Sequence, residues 1–443
     1  MKSFLSVWVA LLAFALSGYA QNGPGGVSSA NLEFWFRADA AAFTDAGTTE
    51  ATDGQSVQQW NDQSGNGNNL SQPTSSNRPT LQTGVVNGQP VMRFDGSDDA
   101  FSEITVSAVS APAEIFAVLS FANLTQPSGN FDYVMNLGGI NGANTNISIS
   151  RRPVTQRYFS FDGASLRNGV ILTGQTFQIF NPKHATSSTF HSLDIDGNSQ
   201  SVSDYSGSVS TNGNLRVGHD PNGNNEFDGD LGELFLFTAA LNTAEQNLVE
   251  NYLSSKYGIG IPSANDFYAH DAANGNDVAG IGRDDASNQN GDARGSGVVR
   301  INSATSLGDG DYLLFGHDGQ DLSQTQTSDV PADYTANMGT RLRREWRVDE
   351  TGDVGTVSII FDLSGGNAFS NDPNNYELLI DSDGTFATGA TRHTTGLSWD
   401  AGNNTLTFTG VDFSDGDFFT LGNTNESTTI TSIANGGWTT DAT

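Results

Sequence analysis

Residues 226–237, EFDGDLGELFLF, decide how the first half of this chain is interpreted. Four carboxylates, Glu226, Asp228, Asp230 and Glu233, lead into an unbroken apolar run. Three arrangements fit this pattern: a pair of catalytic carboxylates, a calcium site, or a turn that leads into a buried strand. Which of them holds determines most of what can be inferred about function.

The composition indicates which fold class and which partners are to be expected. The 443 residues contain no cysteine, and 19 Lys and Arg stand against 50 Asp and Glu, which gives a net charge of −31. A field of that sign repels nucleic acid and anionic membranes, and it suits surroundings rich in calcium or salt. Polarity comes mainly from Gly, Asn, Ser and Thr, which favour turns and exposed strands. We therefore expect an all-β protein without a nucleic-acid partner.

The first twenty residues are typical of a secretory signal. Lys2 precedes the apolar stretch FLSVWVALLAFAL, and SGYA ends in small residues suited to cleavage after Ala20. No later segment reaches the roughly 20 apolar residues that a membrane helix needs. We expect a signal peptide at residues 1–20, a secreted or cell-surface location, and no membrane insertion.

Short apolar or alternating runs separated by turn residues recur along the chain and predict many short strands. Asn87-Gly88, Asp196-Gly197 and Asp383-Gly384 predict hairpins, because both central positions of a type I′ turn need a positive φ. Residues 425–443 are interpreted as a linker or the truncated start of a further module. The chain is therefore expected to be part of a larger multidomain protein.

One segment, residues 243–257, predicts an amphipathic helix that packs on the preceding sheet. Thr243 and Gln246 have the spacing of a capping box, and Gly258 fits the C′ position. Pro262 and the small residues around it mark a domain boundary. The expected apolar stripe consists of Leu248, Val249, Tyr252, Leu253 and Tyr257.

Several stretches resemble a known family. LEFWFRADA, VQQWNDQSGNGNNLSQPTSSNRPTL, NGQPVMRFDGSDDAF and FDGDLGELFLFTAALNTAEQNLVENYLSSKYGI are similar to LamG-like jelly-roll domains of the concanavalin A-like lectin/glucanase superfamily, over residues 31 to about 261. Residues 263–424 resemble an uncharacterised β-domain that often follows such domains in exported bacterial proteins, notably from Bacteroidetes.

This resemblance implies an architecture. A concanavalin A-like jelly-roll sandwich with one C-terminal helix would occupy residues 21–262, and a second β-sandwich-like domain would occupy residues 263–424. It also implies that MRFDG and GELFLF lie near each other and close the first sandwich.

The resemblance also offers a test for catalysis. Retaining glycosidases of this superfamily carry two glutamates on one strand, spaced Glu-x-Asp-x-Glu or Glu-x-Asp-x-x-Glu, which holds the carboxyls about 5–5.5 Å apart. Glu226 and Asp228 begin that motif, but the second glutamate is missing. Glu233 would point to the opposite face of a regular strand. We therefore predict no catalytic residue.

The calcium interpretation rests on the preference of hard cations for oxygen ligands in Asp, Asn and Gly loops. The candidate ligands are Asp95, Asp98, Asp99, Asp228 and Asp230, which could converge if the strands pair as the resemblance implies. The stretch is not an EF-hand loop, because Asn225 and Leu231 stand where Gly and Glu are required. The alternative is a turn at Asp228-Gly229 that leads into a core strand.

Other candidate residues are basic, aromatic or imidazole groups. On a strand, Arg341, Arg343 and Arg347 of RLRREWR would share one face and could bind an anionic glycan; the alternative is a solvated face paired with acidic surroundings. Trp35 and Trp60 are expected in the core rather than on a sugar-binding platform. Histidine precedes aspartate at positions 219, 270 and 317, which we interpret as strand-end turns because no second histidine stands at zinc spacing.

The sequence thus predicts a non-catalytic extracellular or surface protein for binding or adhesion. A carbohydrate or matrix glycan is the expected partner, and calcium is the only cofactor that the sequence suggests. Two alternatives stay open: a carbohydrate-active enzyme, either a glycoside hydrolase or a lyase, and a purely structural module of a larger surface protein.

Overall fold

The computed structural model describes residues 23–122, 132–138, 146–152, 157–159, 176–184, 191–200, 211–295, 298–322, 325–336, 339–363, 375–424, 429–434 and 437–441. The predicted signal peptide lies outside these residues. Strands dominate the described chain, so the prediction of an all-β protein is confirmed.

The strands before the long helix are β1 (Leu32–Arg37), β2 (Ala42–Phe43), β3 (Gln59–Trp60), β4 (Leu70–Ser71), β5 (Thr80–Val86), β6 (Gln89–Asp95), β7 (Phe101–Thr105), β8 (Ala113–Phe121), β9 (Asp132–Gly138), β10 (Asn146–Arg152), β11 (Arg157–Phe159), β12 (Gln178–His184), β13 (His191–Ile195), β14 (Asn198–Ser199), β15 (Asn214–Val217) and β16 (Asp228–Phe237). The helices are α1 (Thr243–Tyr257), α2 (Asp271–Asn274) and α3 (Ala332–Ala336), with short 3₁₀ turns at Pro24–Gly26, Ser29–Asn31 and Ser75–Asn77.

The strands after α1 are β17 (Asn276–Asp285), β18 (Asn288–Asn290), β19 (Asp292–Gly295), β20 (Val299–Asn302), β21 (Asp311–His317), β22 (Thr325–Gln326), β23 (Thr340–Leu342), β24 (Trp346–Thr351), β25 (Val357–Asp362), β26 (Tyr376–Asp381), β27 (Thr391–His393), β28 (Ser398–Asp400), β29 (Thr405–Val411), β30 (Phe418–Asn423), β31 (Thr429–Ala434) and β32 (Gly437–Asp441).

The strands before α1 build two facing sheets. The larger sheet has the order β14-β13-β12-β8-β16-β6-β5, with β1 also paired to β16, and the smaller has the order β11-β10-β9-β15-β7. Apolar side chains of both sheets share one core, to which Phe36, Met92, Leu119, Ile149 and Leu215 belong. Strands β6 and β16 pair antiparallel, with Met92 opposite Leu231, as the resemblance implied.

The strands after α1 build a second pair of facing sheets. One has the order β18-β17-β21-β24-β30-β23-β22, with β26 paired to β30 and β27 paired to β26, and the other has the order β19-β20-β25-β29-β28. Ile281, Phe315, Trp346, Ile359 and Phe408 belong to the core between them. Two further small sheets, β2-β3-β4 and β31-β32, complete the described chain.

Strand β16 explains its own apolar run. Leu234 and Leu236 lie in the core of the first sandwich, whereas Phe235 and Phe237 lie in a second cluster that includes α1. Successive side chains of a strand point to opposite faces, so a strand covered on both faces is apolar throughout. This run is therefore apolar throughout because α1 covers the face of the sheet that points away from the first core.

Helix α1 lies between the two sandwiches. Its apolar cluster contains Trp35 and Phe116 from the first large sheet, and Tyr312 and Leu314 from the second. Polar residues of the helix are buried as well: Asn247, Glu250, Asn251, Ser254, Ser255 and Lys256. All five residues of the predicted apolar stripe are buried in this cluster with residues of the preceding sheet, as predicted. The prediction did not include the second sandwich, which also packs against the helix.

The ends of α1 are capped. Asn242, not Thr243, is the N-cap: its side chain accepts the backbone N–H of Glu245, whose carboxylate accepts the N–H of Asn242 in return. Gly258 has φ 63° and ends the helix, as predicted. The capping box is thus displaced by one residue from the predicted position.

Two of the three predicted hairpins form. Asn87-Gly88 joins β5 to β6 and Asp196-Gly197 joins β13 to β14, all four residues with positive φ. Asp383-Gly384 does not form a two-residue hairpin, because β26 ends at Asp381 and β27 begins at Thr391. Among the described residues, no helix has the length and apolar character to cross a membrane.

Candidate functional site

The pairing of β6 with β16 places acidic and basic side chains together at one end of the first large sheet. Asp228 lies opposite Asp95, and Asp230 lies opposite Arg93. Directly opposite residues of antiparallel strands have Cβ atoms about 4.5–5.5 Å apart, so their side chains interact. Asp95 and Asp228, two of the predicted calcium ligands that lie 133 positions apart in the sequence, thus meet at this sheet end.

The loop that follows β6 gathers the other predicted ligands. Asp95 Oδ1 accepts the backbone N–H groups of Ser97, Asp98 and Asp99, and Asp99 Oδ2 accepts the N–H of Asp95. Gly96 occupies the left-handed region with φ 70°, which this tight turn requires. The turn brings carboxylate oxygens of Asp95, Asp98 and Asp99 within 4.8 Å of one another. We call these three residues the loop carboxylates.

Asp99 is the buried member of the loop carboxylates. Its residue is 7% exposed, whereas Asp95 and Asp98 are exposed. Burial, followed by the neighbouring Asp95 and Asp98 carboxylates, raises the pKa of Asp99 to about 7. The crowding of like charges at this loop would be relieved by a bound cation or a proton.

An open cleft with a volume of about 490 Å³ lies beside the loop carboxylates. Acidic, basic and hydroxyl side chains line it: Asp95, Asp99, Asp228, Asp230, Arg78, Arg93, Ser56, Ser75, Ser76 and Thr80. Arg78 is held in place by its own bonds, from Nε to Gln72 O (2.8 Å) and from Nη2 to Gln58 Oε1 (2.7 Å). The cleft therefore offers several hydrogen-bonding groups around the acidic loop.

The five predicted calcium ligands do not form one cluster of equivalent groups. Asp230 forms a two-pronged ion pair with Arg93, at 2.7 and 2.8 Å, which occupies both of its carboxylate oxygens. Asp228 lines the cleft with Asp95 and also contributes to the raised pKa of Asp132. The structure thus brings Asp95, Asp98 and Asp99 together, places Asp228 beside them, and engages Asp230 elsewhere.

Glu226 and Glu233 do not form a pair. Glu226 precedes β16, whereas Glu233 is fully buried beneath α1. A β-bulge between Leu231 and Glu233 interrupts the strand, so the regular alternation assumed for Glu233 was wrong. The two glutamates lie in different environments, so they do not flank a common substrate bond in this structure.

Glu233 is the centre of a buried polar network. Its carboxylate accepts hydrogen bonds from Trp35 Nε1 (2.5 Å), Tyr252 Oη (3.0 Å) and Tyr257 Oη (3.0 Å), and it pairs with Lys256 Nζ (2.8 Å). Lys256 Nζ also contacts Asp39 Oδ1 at 3.0 Å. These partners satisfy the carboxylate within the protein, so Glu233 serves the packing of α1 on the sheet.

The RLRREWR stretch is not one strand. Strand β23 ends at Leu342 and β24 begins at Trp346, so Arg341, Arg343 and Arg347 do not share a face and the predicted alignment was wrong. Arg341 is 1% exposed and pairs with Asp329 (2.6 Å) and Glu345 (2.6 Å). Arg341 is therefore held by internal partners rather than displayed to a ligand.

The other two arginines lie apart from Arg341. Arg347 donates from Nε to Gly416 O at 3.1 Å and covers the ring of Phe418, while Arg343 is exposed between the two strands. Trp35 and Trp60 are buried at 4% and 0% exposure, as predicted.

The histidines that precede aspartate have different surroundings. His219 Nδ1 contacts Asp220 O at 2.6 Å, in a local turn, and His317 Nε2 contacts Asp277 Oδ2 at 3.2 Å. His270 lies near Asp349 and Asp415, with one ligand atom of each residue within 4.8 Å of the others. Sequence reasoning missed this group, because its members come from three separate segments and none has a local motif.

Residues 245–417 match the model of a family described as a domain of unknown function, DUF8202. The match covers less than half of the chain and begins inside α1. Comparison with curated proteins found no match.

Several solved structures are similar to this chain at low levels. A GH54 α-L-arabinofuranosidase soaked with a cyclic sulfate inhibitor shows 16% identity and a TM-score of 0.37 over 60% of this chain and 65% of that chain. Trypanosoma rangeli sialidase in complex with the inhibitor DANA shows 11% identity and a TM-score of 0.33 over 53% of this chain and 35% of that chain.

The Ruminococcus gnavus IT-sialidase CBM40 bound to α2,6 sialyllactose shows 10% identity and a TM-score of 0.24 over 32% of this chain and 94% of that chain. At these identities and TM-scores, the similarities assign neither topology nor function.

Proposed function

We propose that this chain is an extracellular binding or adhesion protein that recognises carbohydrate in the cleft beside β6 and β16, with a calcium ion held by the loop carboxylates. The observation that carries the proposal is the convergence of Asp95, Asp98 and Asp99, with oxygens within 4.8 Å of one another, at the edge of a polar cleft.

Calcium fits the loop carboxylates on chemical grounds. Calcium takes six to eight oxygen ligands at about 2.3–2.6 Å, so the oxygens around one ion lie at most about 5 Å apart. The loop offers only oxygen donors, and two of its carboxylates are exposed, which leaves room for water or a sugar hydroxyl to complete the coordination. Asp230 is not a ligand in this proposal, because Arg93 already engages it.

Carbohydrate fits the cleft because sugars are bound by many directed hydrogen bonds. The cleft presents serine and threonine hydroxyls, two arginines and the acidic loop around an open volume. The net charge of −31 disfavours polyanionic partners such as nucleic acid. The resemblance to LamG-like domains and the predicted signal peptide support an exported glycan-binding protein.

A carbohydrate-active enzyme is the second candidate, and one observation favours it. A carboxyl with a pKa of about 7, such as Asp99, suits a general acid at neutral pH. Release of reducing sugar from a glycan that binds the protein, lost in Asp99→Asn, would favour hydrolysis over binding alone.

The calcium part is tested by thermal unfolding of the full chain with calcium and with a chelator. A site at one hundred times its dissociation constant adds about 2.7 kcal/mol to the free energy of unfolding, so we expect a raised midpoint. Asp95→Asn should abolish the increase. The matched control is Asp285→Asn, because Asp285 likewise accepts backbone N–H groups two and three residues ahead, away from the cleft.

The glycan part is tested by screening immobilised glycans with the wild type and Asp95→Asn, each with calcium and with chelator. We expect saturable binding that depends on calcium and is lost in the variant. An unchanged midpoint on adding calcium would contradict the metal site. Absence of saturable binding to any glycan would contradict carbohydrate recognition and favour a structural module.

A further inference from the structure

A second group of metal-capable side chains lies in the second sandwich, away from the cleft. His270 precedes α2, Asp349 lies on β24, and Asp415 lies in the turn before β30. Three segments that are distant in sequence therefore supply one side chain each. One ligand atom from each residue lies within 4.8 Å of the other two.

The imidazole of His270 has an unused nitrogen. Its Nε2 atom is inaccessible to solvent and has no hydrogen-bond partner. Asp349 Oδ2 lies 3.9 Å from it, beyond hydrogen-bonding distance, and is held by the backbone N–H of Ala269 at 2.7 Å. A buried polar atom without a partner is costly, so an occupant between these groups would remove an unfavourable term.

The two carboxylates of the group crowd each other. One carboxylate oxygen of Asp349 lies within 4.8 Å of one carboxylate oxygen of Asp415. Asp415 is exposed, so the group opens to solvent on one side. A cation between the two carboxylates would offset their mutual repulsion.

We propose that His270, Asp349 and Asp415 bind a divalent transition-metal ion, with one imidazole nitrogen and two carboxylate oxygens as ligands. Imidazole nitrogen suits zinc and related metals, whereas calcium prefers oxygen alone. Ligands of a tetrahedral zinc at about 2.0–2.2 Å lie about 3.4 Å apart, so the 3.9 Å separation closes with a shift of a few tenths of an ångström. The exposed side leaves a position for water.

One positive charge lies close to this group. A Cβ atom on Gly416 would lie 3.5 Å from Arg347 Nη2 and 3.9 Å from His270 Nε2, so both groups border the same turn. The Nε atom of Arg347 donates to Gly416 O. Among the described residues, Arg347 makes no ion pair with Asp349 or Asp415.

The site would stabilise the junction that follows α1. Residues 263–270 connect the helix to the second sandwich, and Tyr268 Oη already bonds to Arg347 O at 3.3 Å on β24. A metal bound at His270 would attach this connection to β24 and to the turn before β30. This role is independent of the calcium and carbohydrate proposal, because it involves no residue of the cleft.

The test is zinc binding by the full chain, measured by competition with a chromophoric chelator, together with the visible absorption of bound cobalt. We expect His270→Ala and Asp415→Asn each to weaken zinc binding at least about tenfold and to remove the cobalt bands. His393→Ala is the matched control, because His393 lies on β27 and bonds to Thr409 O instead. Asp95→Asn should retain the zinc site.

The outcomes separate cleanly. The proposal is overturned if the wild type takes no zinc from the chelator. It is also overturned if the wild type and both variants bind zinc equally tightly. Because Asp415 is exposed, Asp415→Asn should not disturb the fold. This variant therefore tests zinc binding even if His270→Ala lowers the thermal midpoint. Loss of calcium stabilisation with retained zinc binding would contradict the cleft proposal alone.

Discussion

Strand β16 carries acidic side chains at its start and in its middle, and their surroundings are opposite. Asp228 and Asp230 lie at the cleft, where Asp230 pairs with an arginine whose side chain is 47% exposed. Glu233 lies five residues beyond Asp228, is fully buried and has four internal partners. Carboxylates of the same strand therefore border an open cleft at its start and pack beneath α1 in its middle.

A local irregularity creates this difference. The bulge between Leu231 and Glu233 turns the glutamate toward α1, and Gly232 allows the Tyr257 ring to approach, because a Cβ there would lie 2.9 Å from Tyr257 Cε1. Environment, rather than residue type, thus decides which carboxylates remain available to a ligand.

The largest expected effect on the free energy of unfolding is at the buried residue Glu233. Glu233→Gln removes the charge that pairs with Lys256, which is 4% exposed, and leaves a buried ammonium with Asp39 as its remaining carboxylate partner. Breaking a buried pair by removing one charge costs about 3–5 kcal/mol, so we expect a loss of about 3 kcal/mol in the free energy of unfolding. Urea unfolding at neutral pH measures it.

Glu226→Gln is the matched control, since Glu226 lies outside β16 and away from α1. A change within about 0.5 kcal/mol is expected there, as for most surface substitutions. Equal losses in the two variants would mean that the buried network contributes nothing specific.

Part of this comparison was predictable from sequence. The apolar run of β16, the proximity of MRFDG to the strand that contains GELFLF, the hairpins at Asn87 and Asp196 and the burial of Trp35 follow from periodicity, turn chemistry and family resemblance. These features depend on residues that are near in sequence, or on a pairing that the resemblance supplies.

The rest depends on contacts between distant segments. No local sequence pattern predicts the bulge at Gly232 or the packing of the second sandwich against α1. The same is true of the buried ion pairs of Arg341 with Asp329 and Glu345. The group of His270 was missed for the same reason, because its aspartates lie 79 and 145 positions further along the printed sequence.

An intermediate effect is expected at Asp99, as a dependence on pH. Its pKa is about 7 in the folded protein, above the ordinary value of 3.8, so the folded state binds the proton more tightly than the unfolded state. The associated stability is present below pH 3.8 and is lost as pH rises through 7. In chelator, wild type should therefore lose stability relative to Asp99→Asn between these values.

Calcium sharpens this prediction. A cation at the loop carboxylates favours the ionised form of Asp99, so the pH-dependent difference between wild type and Asp99→Asn should shrink when calcium is added. Unfolding curves at several pH values, with and without calcium, measure it. A difference that does not change with pH in chelator would contradict the assignment of Asp99.

The smallest effect is expected at the exposed ion pair of the same sheet end. Asp230→Asn breaks the contact with Arg93, whose side chain is 47% exposed, and such pairs contribute less than about 1 kcal/mol to stability. Because Arg93 already occupies both oxygens of Asp230, calcium should raise the midpoint of this variant as it does in wild type. A double-mutant cycle with Arg93→Ala measures the pair itself. Loss of the calcium effect in Asp230→Asn would place Asp230 among the ligands and extend the site along β16, whereas its retention confines the ion to the loop that follows β6.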